Sequence, residues 1–168
     1  MIEIYTDGSC SKNPGIGGYG IVVKEDDKII FTHQEKFNEE TTHNRMELSA
    51  ILKALELTQT RFKNKQCIIY SDSSYCVRSF NEWLSEWAMN NWKNSKEQIV
   101  ENLDLMQELY KYHQIDFPNF CIKKIPGHCG IIENEIADAL AQDNKKKLKK
   151  YNKYLENDIF YTCDIDFS

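Results

Sequence analysis

No apolar run in this chain approaches the ~20 residues that a membrane-spanning helix requires, so no transmembrane helix is expected. No C-x-x-C pair occurs, which removes the usual signature of a structural zinc site. No internal repeat is evident, and Met1-Ile2-Glu3-Ile4 lacks the basic start and apolar stretch of a signal peptide. Basic residues are in deficit: 21 Lys and Arg face 26 Asp and Glu, for a net charge of −5. Taken alone, that balance argues against a nucleic-acid partner, although the distribution of charge matters more than its sum.

What is there describes one globular domain. At ~150 residues per domain, 168 residues make a single unit, long enough to bury its own core. Hydrophobic residues make up 41% and charged residues 28%, which excludes a disordered chain. The six cysteines are Cys10, Cys67, Cys76, Cys121, Cys129 and Cys163. A chain of this size needs no disulfide framework, and Cys67 and Cys121 sit in apolar strand-like runs. Reduced thiols in a cytoplasmic or other intracellular compartment are expected.

Ile2, Ile4 and Thr6 alternate with Glu3, Tyr5 and Asp7, which predicts a strand. A turn-rich stretch over residues 7–18 leads to a second strand over 20–23 and a third over 29–37, an antiparallel meander. The period then becomes helical from residue 44 to about 57, through Ile51, Ala54 and Leu55. Cys67-Ile68-Ile69-Tyr70 is a continuous apolar run, as in a buried parallel strand. A helix start follows at residues 72–74. Trp83, Trp87 and Trp92 come next, then a helix carrying Leu103, Met106 and Leu109. Residues 120–125 form a fifth strand, and one last helix spans about 133–149. Strands followed by alternating helix and strand predict an α/β fold.

Four carboxylates each have an ordinary explanation. Asp7 could form an Asp-Gly turn, Glu47 could close a variant capping box with Asn44, Asp72 could cap a helix, and Asp138 could lie on a solvated helical face. Together they suggest more. Asp7 and Asp72 both emerge near strand carboxyl ends, where open α/β sheets bind ligands. Glu47 shares a helical stripe with Ile51 and Leu55, and a carboxylate facing a core is costly unless paired or metal-bound. Converging carboxylates raise one another's pKa, and Mg²⁺ or Mn²⁺ relieves that conflict with a substrate phosphate completing the shell. Two such ions roughly 3.5–4 Å apart serve an in-line phosphoryl displacement.

Several segments, in order, resemble type 1 ribonuclease H over roughly residues 1–145. They are Tyr5-Thr6-Asp7-Gly8-Ser9-Cys10, Asn13-Pro14-Gly15, Gly17-Gly18-Tyr19-Gly20, Thr42-His43-Asn44-Arg45-Met46-Glu47-Leu48, Ser71-Asp72-Ser73-Ser74-Tyr75, Gly127-His128-Cys129-Gly130 and Glu133-Asn134-Glu135-Ile136-Ala137-Asp138. Residues 155–158 resemble the end of bacterial members. The resemblance implies a ribonuclease H-like fold: a five-stranded mixed sheet, antiparallel meander plus parallel strands, with helices on both faces. It implies an endoribonuclease acting on the RNA strand of RNA/DNA hybrids, with Mg²⁺ (or Mn²⁺) held by Asp7, Glu47, Asp72 and Asp138. His128 matches a mobile histidine thought to assist proton transfer or product departure; a histidine, with an ordinary pKa of ~6.5, suits that work. Glu135 matches a glutamate of lesser role near the metal, and Cys10 and Cys129 are read as packing thiols.

The resemblance also implies substrate contacts. Asn13 and Asn44 match positions in the RNA minor groove, and Thr42 and Asn102 match a pocket for a DNA-strand phosphate. Trp83 and Trp87 match a DNA-strand channel, though their i,i+4 spacing suits plain packing equally. Three departures stand out: His43 where asparagine is common, Ser74 where glutamine is common, and an acidic stretch over residues 83–104 where many cellular members carry a basic handle. Lysines at 145–147, 149 and 150 either compensate a helix C-terminus or supply substitute phosphate contacts. The expected organisation is a catalytic domain over residues 1–145 and a lysine-rich helix end and tail over 146–168, in a monomer. A catalytically idle hybrid-binding module and a resolvase-like or reverse-transcriptase-associated nuclease remain as rivals, separable by cleavage of hybrid against duplex substrates.

Overall fold

The alternation at the N-terminus becomes β1 (Ile2–Cys10), the central strand of the sheet. In the computed structural model, which describes residues 1–155, β1 pairs antiparallel with β2 (Gly15–Glu25), and β2 pairs antiparallel with β3 (Lys28–Thr41). On its other side β1 pairs in parallel with β4 (Cys67–Ser71), and β4 with β5 (Phe120–Lys124). The five strands run in the order β3-β2-β1-β4-β5, the mixed sheet that was expected. The expectations for Cys163 and for the tail beyond residue 155 lie outside the described residues.

Because side chains alternate across a strand, β1 and β2 feed two cores. Ile2, Ile4, Ile21 and Val23 pack beneath α1 (His43–Gln59) with Leu48, Ile51 and Leu55, joined by Leu84, Met106 and Leu109. Tyr5 and Val22 pack on the opposite face against Ile136, Ala137 and Leu140 of a later helix. The sheet is thus covered on both faces, and side chains of β1 can meet groups from either layer.

After β4 the chain runs through α2 (Ser74–Arg78), a π-helical turn (Ser79–Trp83) and α3 (Leu84–Met89). Within the π turn the Phe80 carbonyl accepts from His113 Nε2. Helix α4 (Leu103–His113) buries Met106 and Leu109. Beyond β5 comes α5 (Ile132–Ala141). The single last helix expected over 133–149 is in fact broken. Asp143 takes a left-handed backbone (φ 51°), and Asn144 accepts the Lys147 N–H at 3.0 Å to start α6 (Lys145–Lys149), with α7 (Asn152–Leu155) after it. The lysines therefore form their own short helix rather than the end of α5.

Cys121 departs from its expected burial. It is exposed because β5 is an edge strand with one covered face; Cys129 is exposed as well, and so is not a packing thiol. Cys10, Cys67 and Cys76 are buried free thiols. Among the described residues no helix is long and apolar enough to cross a membrane.

Candidate active site

Four different elements deliver the four carboxylates. Asp7 lies inside β1 opposite Gly20, not in a turn, and its Oδ1 accepts the Gly8 N–H at 2.9 Å. Glu47 lies in the second turn of α1. The cap of that helix is Thr42, whose hydroxyl accepts the Arg45 N–H at 3.2 Å, so no capping box engages Glu47. Asp72 follows β4, and the neighbouring Ser73 caps α2 by accepting the Cys76 N–H at 3.2 Å. Asp138 lies on α5 and is 6% exposed, not on a solvated face.

Two glycines permit the convergence. A Cβ at Gly8 would run into the backbone nitrogen of Glu47, so its absence lets α1 settle directly on β1. A Cβ at Gly20 would strike the Ala137 carbonyl oxygen, so its absence lets α5 seat Asp138 against the strand that faces Asp7. One oxygen each of Asp7, Glu47 and Asp72 lie within 4.8 Å of one another. Asp138 stands near enough to Asp7 for its charge to act on the Asp7 carboxyl.

Such a cluster disfavours charge. Burial pushes the Asp7 carboxyl up to about 8; the charges of Asp72 and Asp138 add to the rise, while a hydrogen bond from Glu47 opposes it. Glu47 is held well above the ordinary carboxylate range by burial first, then by Asp7 and Asp72. Its Oε2 is buried without a hydrogen-bond partner. Convergent hard oxygen donors, one of them orphaned in the interior, fit a divalent cation such as Mg²⁺ or Mn²⁺.

A second group adjoins the first. His128 sits in the turn between β5 and α5 with a left-handed backbone (φ 51°), its side chain 71% exposed and its Nδ1 3.9 Å from Glu135 Oε1. His128, Glu135 and Asp138 each bring a ligand atom within 4.8 Å of the others.

The residues expected at the substrate gather unevenly. Asn13 Oδ1 accepts the His43 N–H at 3.2 Å, which holds the turn after β1 beside Thr42 and Asn44 at the start of α1. Asn102 Oδ1 accepts from Arg45 Nη1 at 3.4 Å, and its Nδ2 donates to the Tyr75 hydroxyl at 3.0 Å. Arg45 therefore joins Thr42 to Asn102, and is itself held by Asp104 through bonds of 2.9 and 2.7 Å. Trp83 and Trp87 stand apart from this group. Their rings lie 5.7 Å apart, Trp87 packs on the core, and both line a cleft of about 480 Å³ with Glu86, Asn90 and Lys93. They pack and line a surface at once.

Sequence reasoning missed Arg45, Asp104 and Lys147. Arg45 had a local signal, three residues beyond a capping threonine. Lys147, which bonds Asp138, had none beyond the turn-prone pair Asp143-Asn144 before it.

Residues 1–146 match the family described as RNase H. The ribonuclease H of Orientia tsutsugamushi is 40% identical over 161 residues, covering 93% of this chain and 89% of that protein. That of Caldanaerobacter subterraneus is 42% identical over 156 residues, covering 90% and 95%. Among solved structures, LC11-RNase H1 in complex with an RNA/DNA hybrid matches with a TM-score of 0.61 at 26% identity, over 85% of this chain and 95% of that one.

Proposed function

This chain belongs to the RNase H family, and from that premise we propose that it hydrolyses the RNA strand of RNA/DNA hybrids, with Asp7, Glu47, Asp72 and Asp138 holding Mg²⁺, or Mn²⁺ in its place. The observation that carries the reading is the meeting of Asp7, Glu47 and Asp72 from three elements about the buried, unpartnered Glu47 Oε2, with Asp138 close enough to act on Asp7. A purely structural cluster would not leave Glu47 Oε2 in the interior without a donor.

When bound, a pair of divalent cations lowers the pKa of an attacking water and neutralises charge building on the scissile phosphate. The protein's part is to fix the donors on rigid elements, β1, α1 and α5, and to keep their charge concentrated at one end of the sheet. His128, on an exposed turn beside Glu135, can reach a departing phosphate oxygen and move a proton there without being a fixed ligand. Asn13, in the turn after β1 held to the His43 N–H, and Asn44, in the first turn of α1, present amide groups suited to 2′-hydroxyls. Thr42 and Asn102, joined through Arg45, take a DNA-strand phosphate, and the Trp83–Trp87 surface receives the DNA strand. Residues 1–145 make up the catalytic unit, and 146–168 form a lysine-rich extension.

The test incubates end-labelled RNA/DNA hybrid, RNA duplex and DNA duplex with and without Mg²⁺. Internal cleavage of the hybrid's RNA strand only, and only with the cation, is expected. Equal cleavage of DNA duplex would move the chain to a resolvase-like nuclease, and binding without cleavage would make it an idle hybrid-binding module.

A further inference from the structure

Lys147 reaches into the carboxylate cluster although it belongs to a separate helix nine residues beyond Asp138. Its ammonium donates to Asp138 Oδ2 and lies 3.7 Å from Glu135 Oε2. The Lys147 side chain is 25% exposed and that of Asp138 9%, so the pair is largely out of water. Neighbouring Lys145, Lys146 and Lys149 are exposed. The left-handed Asp143 and the Asn144 cap that start α6 also turn this one lysine back over α5.

An ammonium and a divalent cation compete for the same oxygens and repel one another if both remain. Resting on the metal reading above, we propose that Lys147 is a built-in counter-cation for the Asp138–Glu135 side of the site, which a divalent ion must displace, so that this lysine sets the cation concentration at which the site fills. It also spares the metal-free chain a second set of unpaired acids beside Asp7 and Glu47. The arrangement makes binding an exchange of cations rather than a simple addition.

Calorimetric titration of the metal-free chain with MgCl₂, and separately with MnCl₂, tests this, alongside melting with and without cation. In Lys147→Met the dissociation constant for Mg²⁺ should fall about tenfold, equivalent to ~1.4 kcal/mol. The metal-free melting temperature should fall, and the deficit should vanish at saturating Mg²⁺. Lys147→Arg, which keeps the charge, should bind as the unaltered chain does. If Lys147→Met binds Mg²⁺ no tighter while Asp7→Asn abolishes binding, the proposal is overturned alone and Lys147 merely ties α6 to α5. If neither the unaltered chain nor Lys147→Met binds either cation, the metal reading falls and this proposal with it.

Discussion

Asp7 and Glu47 share one buried environment in which neither carries charge easily, and that governs what single substitutions do. Asp7→Asn or Asp72→Asn keeps size and shape but removes a charge that the proposed cations would require; cleavage should be lost while the circular dichroism and melting of the metal-free chain survive. Near-normal turnover in a folded variant would remove these residues from the metal site. His128→Ala should slow turnover by ~10²–10⁴-fold, the range for a positioned acid or base, and leave measurable activity. Complete loss with intact cation binding would mean the histidine does more than move a proton. The pH dependence of stability follows from Asp7. Its carboxyl is raised in the folded chain from 3.8 to about 8, so its contribution is fully present below about pH 4 and is lost as pH rises through about 8. Melting followed in a chelator should show falling stability across that window, and Asp7→Asn should reduce the slope while the raised Glu47 keeps part of it; a flat profile in the unaltered chain would contradict the assigned burial.

At the scale of elements, the site depends on how closely two helices approach the sheet. Gly20→Ala puts a Cβ into the backbone of α5. The helix must shift, at a cost of ~1–3 kcal/mol typical of overpacking. Because Asp138 moves with α5, kcat should fall by about 10²-fold with little change in hybrid affinity, as displacements near 1 Å do elsewhere. A loss confined to KM would show that α5 absorbs the methyl without moving the carboxylate. Helix α6 carries a different question. Lys147 is committed to Asp138, which leaves Lys145, Lys146, Lys149 and Lys150 exposed and free to meet a backbone. Changing these four to glutamine should lower hybrid affinity and reduce the log–log salt slope by roughly one for each phosphate no longer neutralised. An unchanged slope would leave them as a solvated helix.

Over the whole molecule, a net charge of −5 has to coexist with a polyanionic substrate. The structure concentrates acid where cations are proposed to bind and leaves the segment after α3 without a basic handle. Its Lys93 lines the tryptophan cleft together with Glu86. On the proposed metal reading, attraction comes from the cations and from a few lysines, so binding should weaken sharply when Mg²⁺ is replaced by a chelator. Filter binding of hybrid at fixed ionic strength measures this, and equal affinity in both conditions would place the attraction elsewhere on the surface.

The order of elements was legible in the sequence because hydrophobic period reports burial directly: two-residue alternation in β1, an apolar run in β4, a helical stripe in α1. The carboxylates were legible as candidates only jointly: each had an ordinary local explanation, but several acids converging beside an apolar stripe are costly unless a cation joins them. Which local explanation failed was not legible. Capping fell to Thr42, two residues before Asn44, and to Ser73, next to Asp72, and only backbone geometry decides between nearby residues that cap equally well. The break between α5 and α6 was hidden because lysine and leucine favour helix, whereas the left-handed Asp143 is held by its surroundings. Lys147 was the least legible of all. Its meeting with Asp138 depends on the angle between two helices, a quantity that packing sets and no spacing encodes. The sequence by itself determined which residue types were present for the chemistry and which strands and helices carry them; the tertiary structure alone decided which charges stand close enough to share a proton or a cation, because Coulomb and desolvation energies depend on distance and burial rather than on order along the chain.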